Sequence, residues 1–226
     1  MGGVSSWIEQ GFAPLSNEHK KYLKTRGVDS KTSVSFFTWE PPRSACPCPR
    51  FSASFGVTGR RIRGNLVTPI YSPRGILIGM EARSFNPDGS KKVLQYRTDQ
   101  AQWNPYFLGA EKAFQALWDG CDVWVVEGIF DLVALEKVVP KSDAVICTLR
   151  AGMDGNSVNM ITRFATPLNT IYIAYDNDET GQTKGEWLKS RLTSLGARSY
   201  LCRYRGKDPN EVWKAGGEPL LRKMFG

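Results

Sequence analysis

The sequence predicts an α/β protein in which a mainly parallel sheet follows a smaller, basic region of mixed α+β structure. From about residue 110, short apolar runs alternate with amphipathic runs, which is the pattern of parallel strands with helical crossovers. Before that point, apolar runs are separated by tight turns, which favours antiparallel pairing. The excess positive charge lies in the same first part of the chain. We therefore predict two subdomains, residues 1–110 and residues 111–226.

The first part is predicted to begin with a helix and to continue with a hairpin. Ser16 is a favourable N-cap for "LSNEHKKYLKTRG", and Gly27 supplies the C-terminal stop. Residues 40–64 are rich in Pro, Arg, Ser and Gly and are expected to form loops. The run "LVTPIYSPRGILIGMEARSF" contains two strands around a turn at 72–75. A second turn at 86–89 leads to a strand in "KKVLQY".

The second part is predicted to alternate helices and strands. The predicted strands lie in "DVWVVEG", "AVICTL", "TIYIAYD" and "RSYLCRY". The predicted helices lie in "AEKAFQALWDG", "FDLVALEKVV", "SVNMITRFA" and "TKGEWLKSRLTSLG", followed by short helices in "PNEVWKAG" and "PLLRKMF". Strands that alternate with helices imply right-handed crossovers and a mainly parallel sheet.

The charge distribution indicates a polyanionic partner. The chain carries 30 basic and 22 acidic residues, a net charge of +8. Residues 1–110 hold 15 basic and 7 acidic residues, whereas residues 111–226 hold 15 of each. All the excess positive charge therefore lies in the first part, which favours nucleic acid as its partner.

Composition also excludes several classes of protein. No apolar stretch approaches the roughly 18–20 residues that span a bilayer, so we expect no membrane partner. The N-terminus lacks the basic-then-apolar pattern of a secretory signal. Five cysteines without a framework spacing predict a reducing, cytoplasmic location. Cys46 and Cys48 form a C-x-C pair, but no second Cys/His pair stands nearby to complete the four ligands of zinc.

Acidic residues follow three of the predicted strands. Glu127 closes "VWVVE", Asp176 and Asp178 close "TIYIAYDND", and Asp208 follows "YLCRYRGK". In a parallel sheet, functional groups collect at the carboxyl ends of the strands. In an extended segment, residues two apart point the same way, so Asp176 and Asp178 are expected to reach a common point.

Such carboxylates repel one another unless a cation lies between them. Mg²⁺ binds carboxylate and phosphate oxygens together, so the pattern predicts a divalent metal site for phosphate chemistry. A solvated D-x-D loop is the alternative for the aspartate pair. An ordinary acid at a helix N-terminus is the alternative for Asp131, which lies one helical turn after Glu127.

Three segments together resemble the motifs of the Toprim domain, in order and at suitable separations. They are "VVEGIFDLVAL" (125–135), "YDNDETG" (175–181) and "GKDPNEVW" (206–213). Toprim domains occur in DnaG-type primases, topoisomerases and some nucleases. The resemblance implies a Toprim parallel-sheet subdomain with a metal-dependent reaction on nucleic acid.

The finer resemblance is to the catalytic core of bacterial DnaG-type primases. "GNLVTPIYSPRGILIGMEARSF" resembles their hairpin, and "YFLGAEKAF" resembles the Leu-Tyr-Gly-Leu segment before the Toprim glutamate. "LSNEHKKYLKTRGVDSKT" resembles the helix that opens their core. The resemblance covers roughly residues 15–225. It is also compatible with a phage, plasmid or other mobile-element origin.

Carried over position by position, the resemblance implies catalytic and metal-binding roles for a set of acids. The family's metal-site acids match Glu127, Asp176, Asp178 and Asp208, of which the first three are the predicted catalytic residues; Asp131 matches a further motif acid. Two positions depart from the family. Asn210 stands where an acid is usual, and Trp103 and Asn104 stand where a phosphate-binding lysine is expected.

The basic residues are predicted to bind nucleotide and nucleic acid. The candidates are Arg60, Arg61, Arg63, Arg83, Arg97 and Lys112, and a solvated basic loop is the alternative for the first three. Four aromatic residues could stack on bases, although their spacing is more typical of core positions: Tyr71, Trp103, Tyr106 and Phe107.

The resemblance implies a DNA primase catalytic core that synthesises short RNA primers on single-stranded DNA. The reaction is metal-dependent nucleotidyl transfer with Mg²⁺ or Mn²⁺ as cofactor and NTPs as substrates. The family's zinc-binding and helicase-binding domains have no counterpart in the sequence. We therefore expect a separate zinc-binding domain or a replicative helicase as partner.

Two other functions fit part of the pattern. A Toprim nuclease would use the same acids to activate water, although the primase-like first part argues against it. A non-catalytic nucleic-acid-binding module would explain the departures at Asn210 and Trp103. A topoisomerase is not favoured, because no companion domain is present to carry a nucleophilic tyrosine.

Overall fold

The structure is a computed structural model with two sheets. It describes residues 4–29, 32–42, 63–85, 91–102, 104–150 and 152–225. The first sheet is antiparallel and has the strand order β1-β2-β3-β4-β5 in the described residues. Its strands are β1 (Phe12–Ala13), β2 (Phe37–Trp39), β3 (Leu66–Tyr71), β4 (Leu77–Phe85) and β5 (Lys91–Arg97).

The predicted helix and hairpin of the first part are confirmed. Helix α1 spans Val4–Glu9, and α2 spans Asn17–Thr25. The Ser16 side chain caps α2 by accepting the main-chain N–H of His19 at 3.1 Å. Strands β3 and β4 pair antiparallel across the predicted turn, where Gly75 has a φ of 73°. Glycine suits this left-handed conformation because it lacks a Cβ.

The second sheet is fully parallel and has the order β7-β6-β8-β9 in the described residues. Its strands are β6 (Val123–Val126), β7 (Ala144–Cys147), β8 (Ile171–Ile173) and β9 (Ser199–Leu201). Its helices are α3 (Ala110–Trp118), α4 (Ile129–Leu135), α5 (Gly155–Phe164), α6 (Glu179–Ser194) and α7 (Pro209–Phe225). The predicted α/β class, with an antiparallel region before a parallel sheet, is confirmed.

Several bounds differ from the prediction. Helix α4 ends at Leu135, four residues before the end of the predicted run, and β8 ends at Ile173. The two short helices predicted at the end of the chain are confirmed: α7 is interrupted at Gly217, whose φ of 65° and ψ of −161° are not helical. Helix α1 and strands β1 and β2 were not predicted, because runs of two to six residues are too short to show a period.

Two hydrophobic clusters cover the faces of the parallel sheet. One joins α3, α5 and α6 to the sheet. The other joins α4 and α7 to the opposite face and also contains Ile70 and Ile78 of the antiparallel sheet. Because residues from both parts share this core, the boundary placed at residue 110 stays a prediction.

Phe130 in α4 connects the two parts of the chain. Its ring stacks on Phe36 with a centroid distance of 6.2 Å and meets the Tyr22 ring edge-on at 5.7 Å. The guanidinium groups of Arg26 and Arg83 lie 4.5 Å and 5.1 Å from its centroid. Phe130 is 3% exposed, so these contacts hold the start of α4 against the antiparallel part.

Within the described ranges, none of the helices combines the length and the apolar character that crossing a membrane requires.

Candidate metal centre

The acids predicted from three strand ends lie at one edge of the parallel sheet. Glu127 directly follows β6, and Asp176 follows the adjacent strand β8. The main-chain N–H of Asp176 donates to Glu127 Oε1 at 3.2 Å. The topology therefore brings together two acids that are 49 residues apart in the sequence.

Both carboxyl groups resist ionisation in the absence of a cation. Burial first, and the neighbouring charge of Asp176 second, raise the pKa of Glu127 to about 7. Burial also raises the pKa of Asp176 to about 6, with Asp208 as the next contribution. Like charges in a partly buried site disfavour the charged form of each group. A divalent cation would remove this penalty.

Gly181 allows the close approach of α6 to this edge. A Cβ built at Gly181 would lie 2.2 Å from the Asp176 carbonyl oxygen and 2.9 Å from Glu127 Oε1. Both distances are shorter than real Cβ contacts, so a side chain at this position would displace the acidic loop. The predicted tight turn at Gly181 therefore has a packing reason.

Asp178 caps the helix that follows β8. It is the N-cap of α6, and its side chain accepts the Gly181 N–H at 2.9 Å. Asp178 itself has an extended backbone, with φ −107° and ψ 172°, and helix α6 begins immediately after it. That Asp176 and Asp178 reach a common point stays a prediction. Capping a helix leaves one carboxylate oxygen of Asp178 for other partners.

Asp208 and Asp131 form a second acidic pair beside the first. Burial raises the pKa of Asp131 well above its usual value, and the charge of Asp208 is the next cause. Asp131 Oδ1 accepts the N–H of Asn210 at 3.0 Å, and Asp208 Oδ1 accepts the N–H of Glu211 at 2.6 Å. Asp131 is 7% exposed, so it differs from an ordinary solvent-exposed acid at a helix N-terminus.

Asn210, where the family usually has an acid, makes its own contacts. Its side-chain Nδ2 donates to the carbonyl oxygen of Arg26 at 3.1 Å. It is 1% exposed, and its Oδ1 has no hydrogen-bond partner among the residues described. The amide therefore ties α7 to the end of α2.

The acids are close, but they are not arranged as ligands around a common point. Among the described residues, no three acidic, histidine or cysteine side chains form a group that could hold a metal ion. Glu127, Asp178 and Asp208 each accept a main-chain N–H group, as given above. The chemistry of the set, oxygen donors with raised pKa values, still fits a hard divalent cation.

A strained turn after β7 supports Glu127, and the sequence pattern did not reveal it. The Cys147 thiol donates to the carbonyl oxygen of Glu127 at 3.1 Å, and burial keeps the pKa of this thiol well above its usual value. Leu149 has a φ of 64°, which is unusual for a residue with a side chain. Gln95 Nε2 of β5 donates to the Leu149 carbonyl oxygen at 2.6 Å. The antiparallel sheet thus touches the turn beside the acids.

Comparison with known proteins agrees with this geometry. Residues 124–213 match the Toprim-like family. The DNA primase of Aquifex aeolicus is 25% identical over 228 residues, which cover 93% of this chain and 45% of the relative. The chain therefore spans about half the length of that relative.

Two solved structures match almost the whole chain. The zinc-binding and RNA polymerase domains of Aquifex aeolicus primase have a TM-score of 0.74 and 22% identity, covering 98% of this chain and 60% of that structure. A DnaG primase catalytic domain bound to single-stranded DNA has a TM-score of 0.75 and 19% identity, covering 98% and 76%. The chain has the fold of a DnaG-type primase catalytic core.

Arg83 and Arg97, two of the basic residues predicted to bind nucleotide or nucleic acid, have protein partners in the structure. Arg83 lies 3.2 Å from the buried carboxylate of Glu81, in addition to its contact with Phe130. The Arg97 guanidinium lies 3.9 Å from the centroid of the Tyr106 ring. Arg83 lies in β4 and Arg97 in β5 of the antiparallel sheet, and their predicted role in binding phosphates stays a prediction.

Of the other basic candidates, two are exposed on the surface and two lie outside the described residues. Arg63 pairs with Glu40 at 3.0 Å, and Lys112 pairs with Glu136 at 3.3 Å. Both cations are exposed. Arg60 and Arg61 lie outside the described residues, as do Trp103 and the Cys46/Cys48 pair.

The aromatic candidates are mainly core residues. Phe107 is fully buried and Tyr106 is 4% exposed, so neither ring is available to stack on a base. Tyr71 is partly buried against the core of the antiparallel sheet. Asn104 donates to the Gln100 carbonyl oxygen at 2.9 Å, a local contact with no sign of phosphate recognition.

Proposed function

We propose that the chain is the catalytic core of a DNA primase, which synthesises short RNA primers from NTPs on a single-stranded DNA template. One observation carries the proposal. Glu127 and Asp176 follow adjacent parallel strands and share a hydrogen bond at the sheet edge, within a chain that has the primase-core fold throughout.

Mg²⁺ or Mn²⁺ would be held by Glu127, Asp176, Asp178 and Asp208. When bound, the metal would supply a lower pKa for the attacking 3′-hydroxyl group and would neutralise negative charge on the triphosphate. The protein's part is to fix these carboxylates before substrates arrive. It does so by main-chain hydrogen bonds to three of them and by the packing of Gly181 against Asp176.

The basic residues of the antiparallel part would bind phosphates of the template or the NTP. Arg83 is the strongest candidate, because its guanidinium is held between Glu81 and Phe130 and is 19% exposed. A guanidinium that is already fixed loses little conformational entropy when it binds a phosphate. Arg97 and Lys112 are exposed and would contribute through longer-range attraction.

The partners follow from the same comparison. One similar structure joins a zinc-binding domain to the RNA polymerase domain, and another binds single-stranded DNA. We propose the same kinds of partner here, together with a replicative helicase. An intracellular location goes with this function, and the thiols of Cys121, Cys147 and Cys202 are free.

The alternatives are less well supported. A Toprim nuclease would need the parallel sheet and its acids, but it would not need the antiparallel sheet that matches the primase structures over 98% of the chain. A binding module without catalysis would have no reason to keep Glu127 and Asp176 partly buried with raised pKa values. Groups with perturbed pKa values cluster at functional sites.

A priming assay tests the proposal. The purified chain is incubated with NTPs, Mg²⁺ or Mn²⁺ and single-stranded DNA of random sequence, with and without a zinc-binding domain supplied separately. New oligoribonucleotides that require template and metal would support the primase. Shortened DNA would indicate the nuclease, and retained DNA without any product in both mixtures would indicate the binding module.

A further inference from the structure

An open groove of about 780 Å³ lies between the end of β9 and the last turns of α7. It is lined by three cationic side chains and three aromatic or apolar ones, namely Arg203, Tyr204, Arg205, Leu220, Lys223 and Met224. We propose that this β9–α7 groove binds single-stranded nucleic acid as a second contact surface. The choice of ligand rests on the proposed function, which assigns no residue at this edge.

Two of the three cations of the groove lack an ion pair among the described residues. Arg205 and Lys223 are exposed, and the ion pairs found among the described residues include neither of them. Arg203 is held in place by Glu186 of α6 at 2.7 Å and by the Gln182 side chain. Two free cations and one fixed guanidinium suit a chain of phosphates, since nucleic-acid affinity comes largely from such contacts.

The groove also offers surfaces on which bases can pack. The Tyr204 ring packs against Phe225 at a centroid distance of 4.8 Å, and its hydroxyl donates to the Tyr175 carbonyl oxygen at 2.7 Å. Leu220 and Met224 are partly exposed beside it. Single-stranded nucleic acid binds to such combinations of cations and aromatic or apolar surfaces.

A further aromatic residue continues this surface along β9. Tyr200 is 57% exposed. A series of ring contacts connects it to Tyr204 through Tyr172, Trp124 and Phe225, with successive centroid distances of 6.1, 4.3, 6.4 and 4.8 Å. Tyr200 pairs in register with Tyr172 of β8, and their rings meet edge-on at 6.1 Å. The exposed ring is therefore fixed in place and available for stacking.

Two hydrogen bonds connect Tyr204 of the groove to the loop that carries Asp176. Tyr204 bonds the carbonyl of Tyr175, the residue immediately before Asp176. Asn177 Nδ2 donates to the Tyr204 carbonyl oxygen at 3.1 Å, which ties the groove to the acidic loop a second time. A nucleic-acid strand in the groove would therefore run toward the carboxylates. The position of the groove beside the metal centre therefore favours nucleic acid over an acidic peptide as its ligand.

The sequence alone concealed this surface. Residues 111–226 carry equal numbers of acidic and basic residues, so their sum predicts no attraction for a polyanion. The fold separates these charges in space. It gathers acids at the carboxyl edge of the sheet and places Arg203, Arg205 and Lys223 around one groove beside them.

Binding of a fluorescent oligothymidylate, measured by anisotropy at several salt concentrations without metal or NTPs, tests the proposal. We expect the Arg205→Ala/Lys223→Ala variant to bind about tenfold more weakly at low salt, and its log–log salt slope to shrink by about 1.4, near 0.7 per lost phosphate contact. The matched control is Arg163→Ala/Arg191→Ala, which removes the same charge from exposed positions of α5 and α6. We expect the control to stay near the parent.

The groove proposal fails if the two double variants weaken oligothymidylate binding equally. It also fails if an oligoglutamate of the same charge displaces the labelled oligothymidylate as well as unlabelled oligothymidylate does. Acetylation of Lys223 in the parent provides a second readout that does not depend on a variant. Excess oligothymidylate should protect this lysine, and unchanged acetylation overturns the proposal.

The test separates the groove from the proposed function. If the parent makes no primers but the Arg205→Ala/Lys223→Ala variant binds DNA more weakly, the groove proposal holds and the primase proposal fails. If the parent makes primers but the double variant binds DNA as well as the parent does, the primase proposal holds and the groove proposal fails.

Discussion

The main-chain N–H of Asp176 donates to the Glu127 carboxylate at 3.2 Å, across the ends of two adjacent parallel strands. This bond fixes Glu127 and leaves its charge close to that of the Asp176 side chain. The pKa of Glu127 rises to about 7 as a result of burial first and of this neighbour second. The site is therefore built around repulsion that a cation can relieve.

Removing the charge of Glu127 should abolish primer synthesis. Glu127→Gln keeps an oxygen that can accept the Asp176 N–H, but it cannot neutralise a divalent cation. We expect synthesis to fall at least about 100-fold, close to 2.7 kcal/mol of transition-state stabilisation. Asp176→Ala should have a similar effect. Oligonucleotide binding should change little, because the acids do not attract phosphates.

The matched control for this prediction is Glu111→Gln, which removes one exposed acid from the first turn of α3. Gel analysis of labelled primers and anisotropy of labelled DNA give the two measurements. Parallel loss of synthesis and DNA binding in a folded Glu127→Gln protein would contradict the catalytic role.

Without metal, the protein should lose stability as pH rises from about 4 to 7. The pKa of Glu127 rises from an ordinary 4.5 to about 7, and that of Asp176 rises from 3.8 to about 6. The folded state therefore binds more protons than the unfolded state within this window. Its advantage is complete below the unfolded pKa values and is lost as pH passes through the folded ones.

Mg²⁺ or Mn²⁺ should reverse this loss, because the cation binds the ionised carboxylates of the folded state. Thermal unfolding with EDTA and with each metal, over a pH series, measures both effects. We expect the metal-induced rise in Tm to be larger at pH 8 than at pH 5.5 and to be absent in Glu127→Gln/Asp176→Asn. A parent whose Tm ignores both metals at pH 8 would refute the metal centre.

Gly181→Ala should disturb the acidic loop. The added Cβ would lie 2.2 Å from the Asp176 carbonyl oxygen, so backbone has to move. We expect a loss of about 1–3 kcal/mol in the free energy of unfolding, typical of overpacking, and a fall in primer synthesis as well. Urea unfolding and the priming assay give the two readouts.

Gly155→Ala is the matched control, because a Cβ there meets nothing within 4 Å in the first turn of α5. We expect this variant to be more stable by roughly 0.5–1 kcal/mol, since alanine favours helix. If both glycines tolerate alanine equally, the close approach of α6 to Asp176 is not as tight as the structure shows.

Arg83 should act both in stability and in the use of nucleotides. Arg83→Ala leaves Glu81, which is 5% exposed, without its cation, and we expect a loss of about 3 kcal/mol in unfolding free energy. The double variant Arg83→Ala/Glu81→Gln also removes the unpaired carboxylate of Glu81 and should recover most of that stability. If Arg83 binds phosphate, the double variant should still show a raised KM for NTPs or weaker, less salt-sensitive binding of template.

Chemical denaturation and initial rates over a range of NTP and salt concentrations separate the two roles. A double variant that matches the parent in KM and in template binding at every salt concentration would leave Arg83 with a structural role alone.

Asn210→Asp should destabilise the protein even though it restores the acid that is usual in the family. The new carboxylate would face the Arg26 carbonyl oxygen in place of an amide donor, and it would lie beside the buried Asp131. We expect a cost of about 2–3 kcal/mol, that of a buried polar group without its partner. Asn104→Asp is the control, because its amide makes the same kind of bond at an exposed contact.

Thermal unfolding and priming rates report the outcome for Asn210→Asp. Faster synthesis without a loss of stability would show that an acid at this position serves the metal instead.

Much of the architecture could be predicted from local patterns. The sequence predicts the Ser16 N-cap, the turn at 72–75 and the alternation of strands and helices after residue 110. These features are predictable because capping, turn chemistry and hydrophobic period act within a few residues. The meeting of Glu127 and Asp176 was predictable because parallel strands end at a common edge. The precise ends of α4 and β8 were not, since packing decides where such elements stop.

The sequence by itself determined the order of elements and the acids at the strand ends, since both depend on short-range periodicity and on the side chains themselves. Only the tertiary structure decided how those acids are held: Asp178 as a helix cap, Asp131 against Asn210, and Glu127 beside a strained turn that Gln95 fixes from the other sheet. It also decided where the cations of the second part gather. Contacts of this kind join residues tens of positions apart, and no local pattern along the chain specifies which of them meet.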